Sequence, residues 1–597
     1  MNRRTWMASL SKNELDILLY LKEESFTSQR KLAAYTRYSL GNINSTLKKL
    51  VQNNYLTVEY KLTSKAEQLF MRAVPRKAII LAAGYGMRMV PINTMYSKAF
   101  LEVQGEKLIE RQIQQLHEVG ITDISIVVGY MKEQFEYLVD KYHVDLIVNE
   151  QYAERNNLHS LSLAADRIDN TYIVPTDIWS KENPFRKHEL YSWYMVSDLQ
   201  TKHSDVRVTS HQHLQRITDQ DQQGNAMIGI AYLAGQTADR IKEKLLALDH
   251  DKSYNNSFWE AALYSQNRMV VYPREVSHHN FAEINTYEQL RDLDENSDSL
   301  SSDAIDVIAQ EFAVEPSAVT NITVLKKGMT NRSFLFICKQ QKYIMRIPGE
   351  GTDQLVNRQD EAEVYAAIKD KQLCDNPVYL NPNNGYKITK FLDDVRTCDS
   401  NNEEDLEKCI SLLRRFHEMH LQVNHDFDLF DHLNFYEQLW NGQNSVYEDY
   451  LETKKHVFEL KSYIDAQPKD KCLTHIDANA DNFLFYSEEG QERLQLIDWE
   501  YAGMQDPHVD IAMFGIYSMY DKQQMDHLID LYFDKQCPAQ IRAKIYCYIA
   551  VCGLLWSNWC EYKSQQGVEF GKYSLAQYRY AKEYYQYAKE LIDAQSR

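Results

Sequence analysis

Apolar positions change their spacing twice along this chain. In "SKNELDILLYLKE" they recur at helical spacing behind a capping pair, Ser11 and Glu14, so the pattern predicts an amphipathic helix. "TSQRKLAAYT" and "SLGNINSTLKKLVQNN" predict two more helices, and "YLTVEYKLTSKAEQLF" predicts two short strands and a helix start. From about residue 76 short apolar runs alternate with amphipathic helices: "KAIILAAG", "LIERQIQQLHEVG", "DISIVVGY", "KEQFEYLVDKY", "DLIVNE". That alternation predicts a parallel α/β sheet. "RDLDENSDSLSSDAID" is polar and acidic and reads as a linker. Beyond it, strand-like "NITVLKKGMTNRSFLFICKQQKYIMRIPG" gives way to long Tyr-rich helical stretches, so a small β-rich lobe precedes a larger helical one. A chain of 597 residues is too long for one core. The expected domains are 1–75, 76–295 and 300–597.

Composition is that of a globular protein, 44% hydrophobic and 25% charged. The N-terminus lacks the long apolar run of a secretory signal, and no stretch reaches the apolar length needed to span a bilayer. Nine Cys are scattered without a CxxC pair, which argues against a zinc knuckle or a disulfide framework and fits a reducing cytoplasm. Lys and Arg number 66 against 85 Asp and Glu. Residues 1–75 reverse that balance, with twelve basic residues to six acidic, which permits contact with nucleic acid.

Two stretches carry chemistry. In "KAIILAAGYGMRMVPINTMYSKAF" a strand runs into Gly84 and Gly86, whose small size lets backbone N–H groups approach a triphosphate. Arg88 and Lys98 follow and supply positive charge where a transferred phosphoryl group develops negative charge. In "HIDANADNF", followed by "LIDWE", Asp477 is placed to accept the proton of an attacking hydroxyl. Asn482 and Asp498 offer the hard oxygens that Mg²⁺ prefers.

The first stretch resembles the sugar-nucleotidyltransferase signature L-x-x-G-x-G-x-R…P-K. "NEQYAERNNLHSLSLA" and its upstream helices narrow the likeness to bacterial phosphocholine cytidylyltransferases of the Lic type. That resemblance implies CTP and phosphocholine as substrates and a Mg²⁺ site at Asp177 of "YIVPTDIW" and at Glu283 and Asn285 of "FAEIN". It also implies an aromatic cradle for trimethylammonium, with Trp193, Tyr232, Phe258 and above all Trp259 as candidates. Core packing is the alternative role for each ring. Three positions depart from the pattern. Ser97 stands for the usual Pro, Pro175 for a frequent Asp, and Asn285 for an Asp, which removes one negative charge from the metal site.

The second stretch resembles the catalytic loop and metal Asp of the choline kinase and aminoglycoside phosphotransferase group. The resemblance implies ATP binding through Gly328, Thr330 and Asn331 of "KKGMTNRSFLF", and through Arg346 of "YIMRI" oriented by Glu361. It further implies help from Glu500 at the metals, and a choline cage at Trp556, Trp559 and Tyr573, with Tyr517 and Tyr520 as weaker candidates. Asp506 and Asp510 read as supports of the catalytic loop. The first segment resembles a MarR-like winged helix-turn-helix, with Asn42, Asn44, Ser45 and Lys48 on the outer face of a recognition helix. DNA is therefore a possible partner through residues 1–75, a homodimer is plausible, and the alternative is a small dimerisation or lid domain.

The expected fold is multidomain α/β and α+β: a winged helix, a Rossmann-like nucleotidyltransferase domain and a two-lobed protein-kinase-like domain. The expected activity joins choline phosphorylation by ATP to cytidylyl transfer from CTP, giving CDP-choline. Ethanolamine or 2-aminoethylphosphonate is the alternative substrate. A choline- or CDP-choline-sensing transcriptional regulator is the alternative of another class.

Overall fold

The computed structural model describes residues 10–92, 96–218, 222–325, 331–349, 355–374, 376–565, 568, 570–595. The chain forms two compact units, Met1–Asp306 and Val307–Arg597.

The first unit begins with four helices, Lys12–Glu23, Gln29–Thr36, Leu40–Gln52 and Ser64–Arg72. Each begins at a Ser or Thr. Ser11 N–H donates to Glu14 at 2.7 Å, and Ser28, Ser39 and Thr63 accept from the backbones of Lys31, Asn42 and Ala66. The two strands expected after the third helix shrink to a single bridge, Leu56 with Leu62, closed by Thr57 N–H on Lys61 O at 2.8 Å. Tyr60 takes a left-handed backbone there (φ 61°), which ends the pairing. Leu18, Leu32, Ile43, Leu47 and Phe70 pack into a core of the segment's own, which Leu190 joins from far along the chain.

Seven strands follow in one sheet, ordered 272–276, 193–201, 224–233, 171–175, 77–82, 123–128 and 145–148. Alternate residues of the strand Lys77–Ala82 serve two cores. Ile79 and Leu81 face one, and Ala78, Ile80 and Ala82 face the other. The sheet is mixed rather than parallel: Gly224–Leu233 runs antiparallel to both neighbours. No helix separates it from Trp193–Thr201. Only short strands intervene, and without a crossover helix the chain returns in the opposite sense.

The expected linker is docked. Glu102 N–H donates to Ser299 Oγ at 2.9 Å, Gln104 N–H to Asp294 at 2.6 Å, and Tyr96 and Tyr287 hydroxyls reach Ser299 O and Leu300 O at 3.1 Å each. Its serines are polar because they satisfy backbone groups, not because they face water.

The second unit opens with a five-stranded antiparallel sheet, ordered 320–324, 331–338, 341–348, 387–390 and 379–380, and the helix Arg358–Ile368. A helical lobe follows. In it Cys472–Thr474 and the hairpin Phe483–Glu488 with Gln491–Leu496 carry the catalytic-loop sequence. The long helices Ala539–Gln565 and Lys572–Gln595 pack along each other. Tyr578, Tyr580, Tyr584 and Tyr585 are buried, so the Tyr-rich end is mainly packing surface.

Candidate functional sites

In the first unit the turn after Lys77–Ala82 opens a cleft of about 410 Å³ lined by Gly84, Gly86, Arg88, Lys98, Asp177 and Asn285, among others. Gly86 has φ 63°, a conformation that a side chain strains, and a Cβ there would sit 3.6 Å from Lys98 Cβ. Lys98 Nζ lies 2.8 Å from Asp177 Oδ2 and 2.8 Å from Asn285 Oδ1. Arg88 donates to the same Asn285 oxygen at 3.0 Å, and Asn285 Nδ2 donates to Glu283 at 2.6 Å. The structure thus brings together five of the residues read from sequence.

The Asn285 Oδ1 accepts from both Arg88 and Lys98, so it positions these two cations beside Asp177. The Pro at 175 packs against Gly229, where a Cβ would come within 2.9 Å of the proline ring.

Three aromatic expectations are corrected here. Trp193 is buried, donates Nε1 to Glu189 at 2.8 Å and carries the Arg274 guanidinium 4.5 Å above its ring. Tyr232 is buried against Tyr172, and Trp259 is buried against Tyr194. None of the three lines the cleft. Phe258 is 62% exposed and does not line it either. The rings that do are Tyr85 and Tyr152, which the apolar pattern did not single out. Beside Trp259, Glu260 accepts from the Tyr194 hydroxyl at 3.0 Å while its Oε2 has no partner. Burial pushes its carboxyl up to about 7.

In the second unit Asp477 sits at the head of the loop. Its carboxylate accepts from Asn482 Nδ2 at 3.0 Å and from Asn479 Nδ2 at 3.2 Å. Burial pushes its carboxyl up to about 7, and the negative charge of Asp498 adds to the rise. A hydrogen bond from the Tyr517 hydroxyl opposes it. Asp498 is itself held in a left-handed conformation (φ 66°). Asp510 holds the loop from below, accepting from the backbone of His475 at 2.9 Å and of Ile476 at 2.7 Å. Asp506 is buried against Lys544 at 2.6 Å, where burial opposes and His508 and Lys544 drive a lowered carboxyl pKa. His475 is fully buried, bonded to Ile497 O at 3.0 Å, and burial lowers it to about 4, so it is a neutral strut.

Arg346 meets Glu361 through two bonds, 2.5 and 2.8 Å. Arg358 at 3.1 Å and Lys387 at 3.4 Å complete a buried cluster that sequence reading missed. Arg358 was legible in principle, three residues before Glu361 on one helix face. Glu500 is joined to this cluster, with Arg358 at 3.2 Å and Asn331 Nδ2 at 3.1 Å. Gly328 and Thr330 lie outside the described residues.

The expected cage residues come together. Trp556 lies 5.3 Å from Trp559 and 5.4 Å from Tyr517, and Tyr517 stacks near Tyr573 at 6.1 Å. Tyr501, missed in sequence, stands at 90° to Trp556 at 6.0 Å. Tyr517 joins this cluster to Asp477, whereas Tyr520 turns away to the Ser400 carbonyl.

Mg²⁺ fits both sites by donor chemistry. Each offers hard oxygens, from Asn482 and Asp498 or from Asp177 and Glu283, and in the kinase-like site Asp498 lies near enough to raise Asp477. No group of three His, Cys, Asp or Glu stands ready for a metal among the described residues, so phosphate oxygens and water would complete the shells.

Fold and sites define a transferase in two parts, a nucleotidyltransferase and a kinase-like phosphotransferase. Residues 78–295 match the MobA-like NTP transferase domain and residues 322–547 the choline/ethanolamine kinase family. The chain belongs to the choline-phosphate cytidylyltransferase family. It is 33% identical over 238 residues to the Streptococcus pneumoniae enzyme of that name, covering 37% of this chain and 97% of that one. It is 32% identical to the 2-aminoethylphosphonate cytidylyltransferase of Lancefieldella rimae, covering 31% of this chain and 77% of that one. The crystal structure of choline kinase LicA from Streptococcus pneumoniae is 28% identical, covers 48% of this chain and all of its own, and has a TM-score of 0.42. Among the described residues no helix is long and apolar enough to cross a membrane.

Proposed function

We propose that the chain makes CDP-choline from choline, ATP and CTP in two successive transfers. The observation that carries this reading is the ring cluster of Tyr501, Tyr517, Trp556, Trp559 and Tyr573 tied through Tyr517 to Asp477. Rings favour a quaternary ammonium, and the tie places the attached hydroxyl near a carboxylate.

In the first transfer Asp477 takes the proton from the choline hydroxyl as its oxygen attacks the γ-phosphorus of ATP, and ADP leaves. Asn482 and Asp498 would hold magnesium, which would supply positive charge against the ATP phosphates. Asn482 orients Asp477 through its Nδ2. Arg346, fixed by Glu361, and the loop with Gly328, Thr330 and Asn331 are assigned to the phosphates. In the second transfer a phosphocholine oxygen attacks the α-phosphorus of CTP and pyrophosphate leaves. No side-chain base is needed, because the phosphate is already ionised. Lys98 and Arg88 stabilise the charge that develops there, and Asp177 with Glu283 is the metal position.

Ethanolamine is the second reading, because the matched kinase family covers both alcohols. 2-Aminoethylphosphonate is disfavoured by the fusion itself: it has no hydroxyl for the kinase half to phosphorylate. Residues 10–72 are read as a winged helix. Asn44, Ser45 and Lys48 are exposed on its third helix, but Asn42 is turned inward, accepting from Asn13 at 3.1 Å and Thr46 at 3.0 Å. A DNA contact there and a homodimer remain proposals of the fold alone.

The test is the ratio of kcat/KM for choline over ethanolamine. It is expected to exceed unity in the wild type and to fall ~10-fold or more in Trp556→Leu. A preference for ethanolamine in the wild type would overturn the choline assignment.

A further inference from the structure

A second ring-lined cation box lies in the first unit, built from residues that do not line its nucleotide cleft. The Lys12 ammonium sits 5.8 Å from the ring centre of Tyr38, 5.5 Å from that of Tyr191 and 6.0 Å from that of Tyr272. Among the described residues no other Lys or Arg has three rings around it. Lys12 also bonds Asp16 Oδ2 at 2.7 Å and the Tyr38 hydroxyl at 3.3 Å. Tyr191 and Tyr272 meet edge to face, 5.4 Å apart at 83°. The Lys12 and Asp16 side chains are 12% and 15% exposed, so the box retains an opening to solvent.

Three features separate this box from an ordinary ion pair. Asp16 does not depend on Lys12, because the Tyr191 hydroxyl donates to Oδ1 at 2.5 Å and the Tyr38 hydroxyl donates to Oδ2. If Lys12 leaves, the carboxylate keeps two hydrogen bonds and lacks only a positive charge. Lys12 is also the first residue of its helix, where a cation opposes the helix dipole, so the helix gains nothing from holding it there. Finally, the box is rings plus one satisfied carboxylate, which is the chemistry that recognises a cation with no N–H to donate. A quaternary ammonium is weakly hydrated and loses little solvation on entering it, whereas the lysine ammonium is strongly hydrated and gains on leaving.

We propose that this box is a binding site for a small quaternary ammonium, closed in the resting chain by Lys12 and opened when such a ligand displaces it. Choline as the natural occupant rests on the function proposed above; the chemistry of the box does not. The site is built from two parts of the unit. Lys12, Asp16 and Tyr38 come from the N-terminal helices, and Tyr191 and Tyr272 from the sheet. Tyr272 begins the edge strand Tyr272–Val276, from which the chain runs on to Asn285 in the nucleotide cleft. Occupancy therefore bears on the seam between the helices and the transferase, and gives residues 10–72 a role as a sensor of substrate.

The test is hydrogen exchange of the full chain titrated with tetramethylammonium chloride against sodium chloride at matched ionic strength. This probe has no hydroxyl and cannot be phosphorylated, so the result is independent of whether choline is the kinase substrate. In the first unit the expected result is a saturable change in exchange at peptides covering residues 10–24, 36–40, 189–193 and 270–276, separate from the change that the ring cluster around Trp556 gives in the second unit. Lys12→Met, which removes the internal competitor, is expected to half-saturate at a concentration ~10-fold lower. Tyr272→Ala is expected not to respond. Should Lys12→Met fail to fold, Lys12→Arg serves: it keeps the charge and adds stacking on the rings, and is expected to need more ligand than the wild type. No change in these peptides beyond that given by sodium chloride, or a Tyr272→Ala response equal to the wild type, would overturn the proposal.

Discussion

At the scale of single residues, the account rests on where charge is left unbalanced. Asp477 is enclosed, close to Asp498, and held near neutrality. As a base it acts only when ionised, so phosphorylation should rise with pH and level off once the carboxyl has lost its proton. Burial, reinforced by Asp498 and opposed by the Tyr517 hydroxyl, places that midpoint at about 7, and Mg²⁺ held at Asp498 would move it lower by favouring the anion. Asp477→Asn is expected to lower kcat of the kinase by ~10³-fold and to abolish the acidic limb, with cytidylyl transfer from added phosphocholine unchanged. A full acidic limb in the variant would show that another group titrates.

Sequence made these residues legible because their spacing is dictated by backbone: a base and an amide five positions apart on one loop, then an Asp beyond the next two strands. It made Asn285 and Glu500 legible by position but not by partner. Their partners, Arg88 and Lys98 for one and Arg358 for the other, come from distant parts of the chain, and no local pattern records them. Trp193, Tyr232 and Trp259 failed for the converse reason. An aromatic residue reads the same in sequence whether it lines a cleft or fills a core.

At the scale of elements, the strands and helices with strong periodicity were readable and the exceptions have physical causes. Gly224–Leu233 reverses because no helix carries the chain across the sheet. The polar stretch before residue 300 reads as a linker until its serines are seen bonded to Glu102 and Tyr96. The 3-10 helix Trp259–Leu263 supplies a prediction at this scale. It buries Glu260 with its carboxyl raised to about 7 from 4.5. The folded state therefore holds this proton more tightly than the unfolded chain, and stability falls as pH rises from about 4.5 to about 7. Glu260→Gln should be more stable than the wild type at pH 8 by on the order of 2 kcal/mol, and the gain should vanish near pH 4. Thermal melts across that range would show it; a gain independent of pH would contradict the assignment.

At the scale of the whole molecule, two phosphate chemistries share one chain, and the product of one is the substrate of the other. The kinase half needs an alcohol, and the transferase half needs a phosphomonoester. Choline satisfies both in sequence, and fusion keeps the two activities in equal amounts. The division into a β-rich lobe, a helical lobe and a preceding α/β sheet was visible from the change of period. The docking of Leu190 onto the core of the N-terminal helices was not, because a contact from far along the chain has no signature in either segment alone.

The central claim is tested most directly by phosphorus NMR of the purified chain with choline, ATP, CTP and Mg²⁺. The account predicts CDP-choline and pyrophosphate from the wild type. It predicts phosphocholine alone from Lys98→Ala, and CDP-choline from Asp477→Asn only when phosphocholine is supplied. Choline left unphosphorylated by the wild type, or phosphocholine accumulating while CTP stays intact, would contradict it.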